Sequence, residues 1–367
     1  MIKSCYIHIP FCKDICAYCD FCKLKYHKKF INNYLDALEK EIHSTYHNEE
    51  LETIYIGGGT PSILSLDELK RLFNIISVLK KSDKVEYTIE GNFESTTKEK
   101  LELYKEVGIN RLSFGIESIN PNNLLFLQRE EEPNKIEEVL KYARLLGFNN
   151  INLDLMYALP TENLSILEND INYLLSLDVE HISTYSLIIE DHTILKINNV
   201  KNIEQEKDLE MYELICKKLK ENGFLHYEIS NFAKAGFESK HNKTYWQNNE
   251  YYGFGVGASS YINNERINNT RSITKYCQNE FIKEKEVLSE KDKIEYEVIL
   301  NLRMNTGIDL DLFLKKYNKE LKEYYDYEQL IEDKLLCLDK NHLFIPENKW
   351  YISNEIIVRL LEREVYE

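Results

Sequence analysis

The sequence contains no apolar run close to the roughly 20 residues that a membrane-spanning helix needs. Its first residues, MIKSCYIHIPFC, lack the basic segment, apolar stretch and small-residue cleavage site of a secretory signal. Positive charge is also in deficit, because the formal net charge is -16, which argues against broad binding to nucleic-acid phosphates. We therefore expect a cytoplasmic protein that neither spans a membrane nor binds nucleic acid.

Cysteine is too sparse for a disulfide scaffold, with eight residues in a chain of 367. Three of them, Cys216, Cys277 and Cys337, stand singly in segments that look helical or strand-like, where a buried reduced thiol is ordinary. The other five lie within the first 22 residues. This uneven distribution indicates a reducing compartment and a metal site near the N-terminus.

Short apolar segments alternate with amphipathic stretches as far as about residue 230, in a chain that is 43% hydrophobic and therefore not disordered. The expected strands are residues 5–9, 53–58, 85–91, 111–117, 150–157 and 181–187. The expected helices are residues 29–45, 66–80, 97–107, 134–146, 163–176 and 205–222. Six such βα units predict an α/β fold with a parallel sheet, either a barrel or an open doubly wound sheet.

The βα rhythm ends near residue 235, where the Gly- and Tyr-rich stretch NNEYYGFGVGASSYINN follows. We place a domain boundary there, with one domain at 1–235 and a second at 236–367. The second is predicted to be a small α+β or winged-helix-like module, with helices at 295–304 and 308–317 and a hairpin within 336–353.

Cys12, Cys16 and Cys19 form the pattern C-x3-C-x2-C directly after the first expected strand. Thiolates select zinc, copper(I) or iron–sulfur clusters, and a structural zinc site normally needs four ligands. A cubane cluster held by three cysteines leaves one iron for a chelating small molecule. Two alternatives stay open, namely a zinc knuckle and a closed electron-transfer cluster with Cys22 as fourth ligand. Cys5 lies within the strand and is expected to be packed.

The segment YIHIPFCKDICAYCDF resembles the start of radical S-adenosylmethionine (SAM) enzymes, and more narrowly the coproporphyrinogen-oxidase-like branch of that superfamily. The resemblance implies a partial (β/α)6 barrel with a [4Fe-4S] cluster on Cys12, Cys16 and Cys19. It also implies that SAM chelates the fourth iron and that its cleavage yields a 5′-deoxyadenosyl radical. Tyr6 and Tyr18 match SAM-contacting aromatic positions of the branch.

A glycine triplet, Gly57-Gly58-Gly59, followed by Thr60 and Pro61, stands at the end of the second expected strand, where βα folds place ligand sites. Glycine lets the backbone approach a ligand closely, although a tight turn would also explain the triplet. No Walker-type Gly-Lys-Ser/Thr ending follows. By resemblance this segment is the GGGTP motif that contacts the methionine part of SAM.

Four charged residues, Glu90, Glu117, Arg129 and Asp154, lie near expected strand ends, where they would face a site or form salt bridges on the rim. The resemblance makes Glu90, Arg129 and Asp154 SAM-binding positions. Glu117 stands where glutamine is usual, so its SAM contact would be altered in charge. Two further departures alter loop shape, at Glu90-Gly91-Asn92-Phe93 and at Ala158-Leu159-Pro160-Thr161.

Residues 226–261 resemble the heme chaperone HemW family more than the coproporphyrinogen dehydrogenases. His241-Asn242-Lys243-Thr244-Tyr245-Trp246 matches the HNxxYW motif that this family associates with heme binding. The resemblance implies that His241 is an axial heme ligand beside two aromatic walls, whereas a hydrogen-bonded core histidine is the alternative. Ser259 stands where related chains commonly have histidine.

The resemblance therefore implies a heme chaperone that binds a [4Fe-4S] cluster, SAM and heme, delivers heme to apo-hemoproteins and forms a homodimer. Any net chemistry on heme or SAM stays unassigned. Only eleven residues precede Cys12, whereas coproporphyrinogen-oxidising enzymes carry a catalytic N-terminal extension. The alternatives are an oxygen-independent coproporphyrinogen III dehydrogenase, a radical SAM heme-modifying enzyme and an iron–sulfur electron carrier.

Overall fold

A computed structural model describes residues 1–365 and shows a mixed α/β chain. The strands are β1 Ser4–Ile9, β2 Phe11–Cys12, β3 Leu24–Lys25, β4 Leu51–Gly58, β5 Lys81–Gly91, β6 Arg111–Glu117, β7 Ile151–Tyr157, β8 His181–Ser186, β9 Leu225–Glu228, β10 Asn231–Ala233, β11 Tyr252–Phe254, β12 Ser259–Ile262, β13 Glu265–Asn269, β14 Ile282–Val287, β15 Ile308–Asp309, β16 Cys337–Asp339 and β17 His342–Phe344. The helices are α1 Lys28–Thr45, α2 Leu66–Ile76, α3 Lys98–Glu106, α4 Pro121–Leu127, α5 Pro133–Leu145, α6 Leu164–Ser176, α7 Ile194–Ile197, α8 Gln205–Glu221, α9 Lys240–Trp246, α10 Ile273–Cys277, α11 Glu290–Asn301, α12 Leu310–Tyr317, α13 Glu328–Glu332 and α14 Ser353–Leu361.

The main sheet has the strand order β11-β1-β4-β5-β6-β7-β8-β10-β9. Its six central strands, from β1 to β8 in that order, all run parallel and correspond to the six predicted strands. The strand β11 adds in parallel beside β1, and β10 adds antiparallel beside β8. The strand order ends in two different edge strands, β11 and β9, so the sheet does not close on itself. Side chains of its polar face line a cavity, as in a partial barrel, and the predicted α/β fold is confirmed.

Side chains alternate between the two faces of each central strand, as the two-residue period of a strand requires. On β1, Cys5, Ile7 and Ile9 belong to the large hydrophobic core that the helices cover. The opposite face of the sheet carries mainly polar side chains, which form the lumen of the partial barrel. The lumen side chains are Ser4, Tyr6, His8, Thr53, Tyr55, Glu86, Thr88, Glu90, Arg111, Ser113, Asn152, Asp154, Ser183 and Tyr185.

In helix α2 the capping residues predict the start of the helix better than the sequence predicts its end. Ser65 accepts from the backbone N–H of Glu68, and Glu68 caps Ser65 in return, so the predicted capping box at α2 is present. The helix nevertheless ends at Ile76, four residues before the predicted end at 80. The cause lies in the sheet, because β5 already begins at Lys81 and needs a turn before it.

Helix α9 lies across the amino-terminal end of the lumen and closes it. The hydroxyl of Thr244 is 2.8 Å from the hydroxyl of Ser4 on β1. On β5, Glu86 accepts hydrogen bonds of 3.0 Å from the backbone N–H groups of Lys240 and His241, so a carboxylate sits at the positive end of the helix. The cavity inside the barrel therefore has a floor at α9 and a mouth at the carboxyl ends of the strands.

The described chain has three hydrophobic clusters, of which the two largest separate the barrel from the carboxyl-terminal part. Residues 252–276 contribute Tyr252, Phe254 and Tyr276 to the large core of the barrel, so this part packs on the sheet. A second core comprises residues from Ile294 to Leu360. The domain boundary at residues 235/236 stays a prediction, and the two cores part later in the chain, between Tyr276 and Ile294.

The carboxyl-terminal part combines helices with a three-stranded sheet of order β15-β17-β16, in which both strand pairs are antiparallel. The hairpin predicted within 336–353 is present as β16 and β17. The helix predicted from residue 308 begins at Leu310, because Ile308 and Asp309 pair with β17. Among residues 1–365, no helix is long and apolar enough to cross a membrane.

Candidate functional site

A cavity of about 1440 Å3 occupies the barrel and opens at the carboxyl ends of the parallel strands. Its mouth is lined by the three cysteines of the C-x3-C-x2-C pattern and its interior by polar side chains of the strands. Arg111 at the start of β6 and Asn242 on α9 belong to the same lining. The cavity therefore extends from the cysteine loop to the helix that closes the barrel.

The cysteine loop is held at both of its ends. Strand β2 contains Cys12, and its short parallel pairing with β3 joins Phe11 to Leu24. The backbone N–H of Tyr26 also donates to the carbonyl oxygen of Cys12 at 2.7 Å. Cys12, Cys16 and Cys19 all line the cavity. A short loop with fixed ends thus directs three thiols into one space.

The chemistry of the three thiols suits a cluster. Burial raises the pKa of the Cys12 thiol to about 12, a shift that a hydrogen bond from Thr60 opposes, and burial also raises the pKa of Cys19. Within residues 1–365, no three His, Cys, Asp or Glu side chains are grouped around a point that one metal ion would fill. In a cubane each cysteine binds its own iron, which allows wider spacing. Three soft sulfur donors that line one space therefore fit an iron–sulfur cluster, whose binding would have to release the protons that burial favours on Cys12 and Cys19.

Cys22 and Cys5 stand apart from this set. The Cys22 thiol donates to the carbonyl oxygen of Arg271 at 3.5 Å, and Cys22 is not part of the cavity lining. Cys5 is fully buried in the large core, as expected from its place in the strand. The geometry does not bring Cys22 together with the three lining cysteines, so it gives no support to a fourth thiolate ligand.

The glycine triplet makes room for neighbouring side chains. A Cβ atom on Gly57 would lie 2.7 Å from the carboxyl carbon of Glu90, and one on Gly58 would lie 2.5 Å from the His8 ring. On Gly59 it would lie 2.9 Å from the sulfur of Cys12. Gly58, Gly59 and Thr60 line the cavity, whereas Gly57 does not. The sequence suggested close approach of a ligand or a tight turn as the reason for the triplet, and the structure adds a packing requirement.

Glu90 is fixed at the end of β5 by two donors. The Tyr55 hydroxyl donates to Oε1 at 2.7 Å, and the backbone N–H of Gly58 donates to Oε2 at 2.9 Å. Burial raises the pKa of Glu90 to about 7, although both donors lower it. The carboxylate faces the cavity with its orientation set by β4.

Glu117 and Arg129 meet beside the cysteine loop. Glu117 has a left-handed backbone with φ of 65° and accepts a 2.9 Å hydrogen bond from the Tyr18 hydroxyl. Arg129 lies 3.7 Å from Glu117 and donates to Glu131 and to the carbonyl oxygen of Gly115, both at 2.7 Å. Burial raises the pKa of Glu117 to about 7, and Arg129 opposes that shift.

Arg129 also connects this acidic group with the cysteines, because its Nη1 is 3.8 Å from the sulfur of Cys16. Its Nε is buried without a hydrogen-bond partner. Asp154 completes the predicted charged set on β7, where the Asn152 amide donates to it at 2.8 Å and burial raises its pKa. Glu90, Glu117, Arg129 and Asp154 all line the cavity, together with Tyr18.

Besides Gly57, two predicted site residues, Tyr6 and His241, lie outside the cavity lining. The Tyr6 hydroxyl is 2.9 Å from Nδ1 of His8. His241 is 2% exposed, with Nδ1 at 2.8 Å from the Thr53 hydroxyl and Nε2 at 2.7 Å from the Tyr245 hydroxyl. Both ring nitrogens of His241 are therefore occupied in this structure. Its assignment as a heme ligand stays a prediction that requires it to leave these partners.

Sequence reasoning missed several lining residues, among them Tyr55, Arg111, Asn152 and Asn242. The first three alternate with residues of the hydrophobic core along their strands. That alternation was visible in the sequence as polar residues at every second position of otherwise apolar strands. Asn242 had no such signal, because only the tertiary fold brings α9 to the floor of the barrel.

Comparisons with known proteins agree with this architecture. Residues 6–174 match the family described as the radical SAM superfamily, and residues 288–351 match the HemN C-terminal domain. Heme chaperone HemW of Bacillus subtilis (strain 168) is 40% identical over 374 positions, covering 97% of this chain and 98% of that protein. Heme chaperone HemW of Escherichia coli (strain K12) is 30% identical over 309 positions, covering 81% of each.

Among solved structures, coproporphyrinogen III oxidase (HemN) from Escherichia coli, described as a radical SAM enzyme, superposes with a TM-score of 0.85. The alignment has 21% identity and covers 97% of this chain and 89% of that one. At this identity the likeness concerns the fold. The partial barrel and the smaller carboxyl-terminal domain are thus a known pairing.

Proposed function

Because the chain belongs to the HemW family of radical SAM proteins, we propose that it is a heme chaperone, which binds heme and passes it to apo-hemoproteins. The observation that carries the proposal is the 40% identity to a heme chaperone HemW over 97% of the chain. Superfamily membership implies a [4Fe-4S] cluster and SAM. The acceptor hemoprotein and a homodimeric assembly are part of the same proposal.

We assign the cluster to Cys12, Cys16 and Cys19, whose thiols line the mouth of the cavity. SAM would lie next to them, and the cluster when bound supplies an open iron for its amino and carboxylate groups. Arg129 suits the SAM carboxylate, since a guanidinium pairs with it through two parallel hydrogen bonds. The carboxylates of Glu90 and Asp154 suit ribose hydroxyls or the amino group, because both face the cavity.

Heme binding is tested by titrating heme into the anaerobic protein with and without the reconstituted cluster, and following the Soret band. We expect a saturable Soret shift with wild type. If His241 is the axial ligand, the ring must leave Thr53 and Tyr245, so His241→Ala should change the Soret position or weaken binding. An unchanged spectrum and affinity would remove His241 as the ligand while leaving heme binding intact.

Heme delivery is tested separately. Heme-loaded protein is mixed with an apo-b-type cytochrome and, as the control, with an unrelated protein that binds heme nonspecifically. A chaperone should transfer heme to the apo-cytochrome faster than free heme is taken up, and without comparable loss to the control protein. Transfer no faster than from free heme would contradict the proposed function.

The enzymatic alternative has its own test. The cluster-loaded protein is incubated anaerobically with SAM, dithionite and coproporphyrinogen III, and protoporphyrinogen is detected by fluorescence after oxidation. We expect no substantial turnover. Sustained formation of protoporphyrinogen would make this chain a coproporphyrinogen III dehydrogenase instead of a chaperone.

A further inference from the structure

Arg111 is a buried cation without a protein partner at the deep end of the cavity. The residue is 2% exposed and begins strand β6, and its Nε has no hydrogen-bond partner. Within residues 1–365, no carboxylate lies within ion-pair distance of its guanidinium. An arginine stays charged when buried, so an unpaired guanidinium is costly unless something else binds it.

Thr88 is a second unsatisfied group at the same place. Its hydroxyl is buried without a hydrogen-bond partner, and the residue is 1% exposed. Thr88 and Arg111 are paired residues of the adjacent parallel strands β5 and β6, so their side chains leave the sheet on the same face, into the lumen. Two orphaned donors therefore stand side by side within the barrel.

Neither acid on the lumen face of β5 forms an ion pair with Arg111, although Glu90 interacts with it electrostatically at longer range. Glu86 accepts from the backbone N–H groups of Lys240 and His241 at the start of α9. Asn242 of the same helix lines the cavity together with Arg111. Arg111 and Asn242 thus line one space, and the Thr88 hydroxyl lies next to Arg111 on the same face of the sheet.

We propose that Arg111, Thr88 and Asn242 form a carboxylate-binding site at the closed end of the cavity. A carboxylate can accept hydrogen bonds from two of the three nitrogens of a guanidinium and from a hydroxyl, which suits the unpartnered Nε of Arg111 and hydroxyl of Thr88. Arg111 and Glu117 lie at opposite ends of β6, about 20 Å apart at roughly 3.3 Å per residue. The backbones of the two residues are therefore well apart, although the Arg111 guanidinium also acts electrostatically on Glu90 and Asp154 across the same cavity.

Two ligands of the proposed function carry a carboxylate, so this inference rests on that function. The propionate of a tetrapyrrole is the source that we favour, because Arg129 already stands near Cys16, where the SAM carboxylate is expected. In this proposal the three residues bind the carboxylate and take no part in chemistry. The HNxxYW helix would then contact the ligand through Asn242, in addition to any role of His241.

The test compares heme with its dimethyl ester, which lacks the carboxylate charge. Wild type should bind heme about 10- to 100-fold more tightly than the ester, the range of a charge-assisted hydrogen bond. In Arg111→Gln this preference should disappear, and in Thr88→Val it should fall about fivefold, the value of a neutral hydrogen bond. Arg71→Gln is the matched control, because Arg71 pairs with Asp36 on the outer surface.

A second arm measures SAM binding to the cluster-loaded variants by equilibrium dialysis. A loss of SAM affinity in Arg111→Gln with unchanged heme preference would keep the carboxylate site and assign it to SAM. Unchanged affinities for both ligands in Arg111→Gln and Thr88→Val would overturn the inference. If wild type binds no heme, the proposed function fails, and the SAM arm alone decides the site.

Folding of the variants is checked without ligand. Because an unpaired buried charge destabilises the empty protein, Arg111→Met should unfold at the same temperature as wild type or higher. A large drop in the unfolding temperature of Arg111→Met would show that Arg111 serves the fold, and would contradict the proposal. Thr88→Val keeps the shape of the side chain. If Arg111→Gln does not fold, the binding test is made with Thr88→Val instead.

Discussion

The imidazole ring of His241 stacks on the ring of Tyr55, with centroids 5.0 Å apart and planes inclined by 25°. The same Tyr55 donates its hydroxyl hydrogen to Glu90 at 2.7 Å. One tyrosine therefore contacts both the helix that closes the barrel and an acid of the predicted SAM site. The HNxxYW helix and the predicted SAM site share a single packed lumen, so a change in one should affect the other.

His241→Ala should lower the free energy of unfolding of the heme-free protein by about 2–4 kcal/mol. The substitution removes a buried ring and leaves the hydroxyls of Thr53 and Tyr245 without their partner. Urea denaturation followed by circular dichroism measures the change. His43→Ala is the control, because His43 is exposed on α1. Equal stabilities of the two variants would refute the packing role of His241.

Gly58→Ala should destabilise the protein by about 1–3 kcal/mol more than Gly223→Ala, the range expected for overpacking. Both glycines have positive φ, 116° and 81°, so both substitutions strain the backbone. Only at Gly58 does the added Cβ meet another group, the His8 ring at 2.5 Å, whereas at Gly223 nothing lies within 4 Å. Chemical denaturation of the two variants compares these costs, and similar losses would mean that His8 moves freely.

The central strands could be predicted from the sequence because each combines an apolar face with a polar one, and local glycines and caps separate them from the helices. The same alternation could have identified Arg111 and Tyr55 as lumen residues. Glu90 and Glu117 could be found because each stands at or next to the end of its strand, which brings it to the mouth of the cavity. Glu117, Arg129 and Cys16 meet there although they are distant in sequence.

The closure of the barrel could not be predicted, because it depends on contacts between distant segments. His241 binds Thr53 across 188 positions, and Ser4 binds Thr244 across 240. A histidine beside two aromatic residues gives the same local pattern in a ligand site and in a core. Similarly, the short strand that contains Tyr252 and Phe254 pairs with β1, and no local periodicity in the sequence predicts it.

Glu41 should make stability depend on pH. Burial raises the pKa of Glu41 from 4.5 to about 7, although Tyr276, Gly255 and Asn269 donate hydrogen bonds that lower it. The folded state therefore binds the proton more tightly than the unfolded state does. The stability from this proton is full below pH 4.5 and is lost as the pH rises through about 7.

Glu41→Gln removes this titration, so its free energy of unfolding should fall less than that of wild type between pH 5 and 8. The difference should reach about 3 kcal/mol, since each pKa unit corresponds to about 1.4 kcal/mol. Urea denaturation at four pH values measures both slopes. The other buried acids titrate in both proteins, so their contribution to the pH dependence cancels when the two slopes are compared. Parallel slopes would contradict the assignment to Glu41.

We expect three cysteines to bind the cluster, because Cys12, Cys16 and Cys19 line the cavity and Cys22 does not. Cys22→Ser should retain the full iron and sulfide content and the absorbance of the reconstituted cluster, because the Cys22 thiol binds the carbonyl oxygen of Arg271 instead. Cys16→Ser should lose most of the cluster, since Cys16 lines the cavity mouth. Cys216→Ser, remote from the loop, controls for the loss of any thiol. If Cys22→Ser lost the cluster while Cys216→Ser kept it, a fourth thiolate would close the cube, and no iron would be left for SAM.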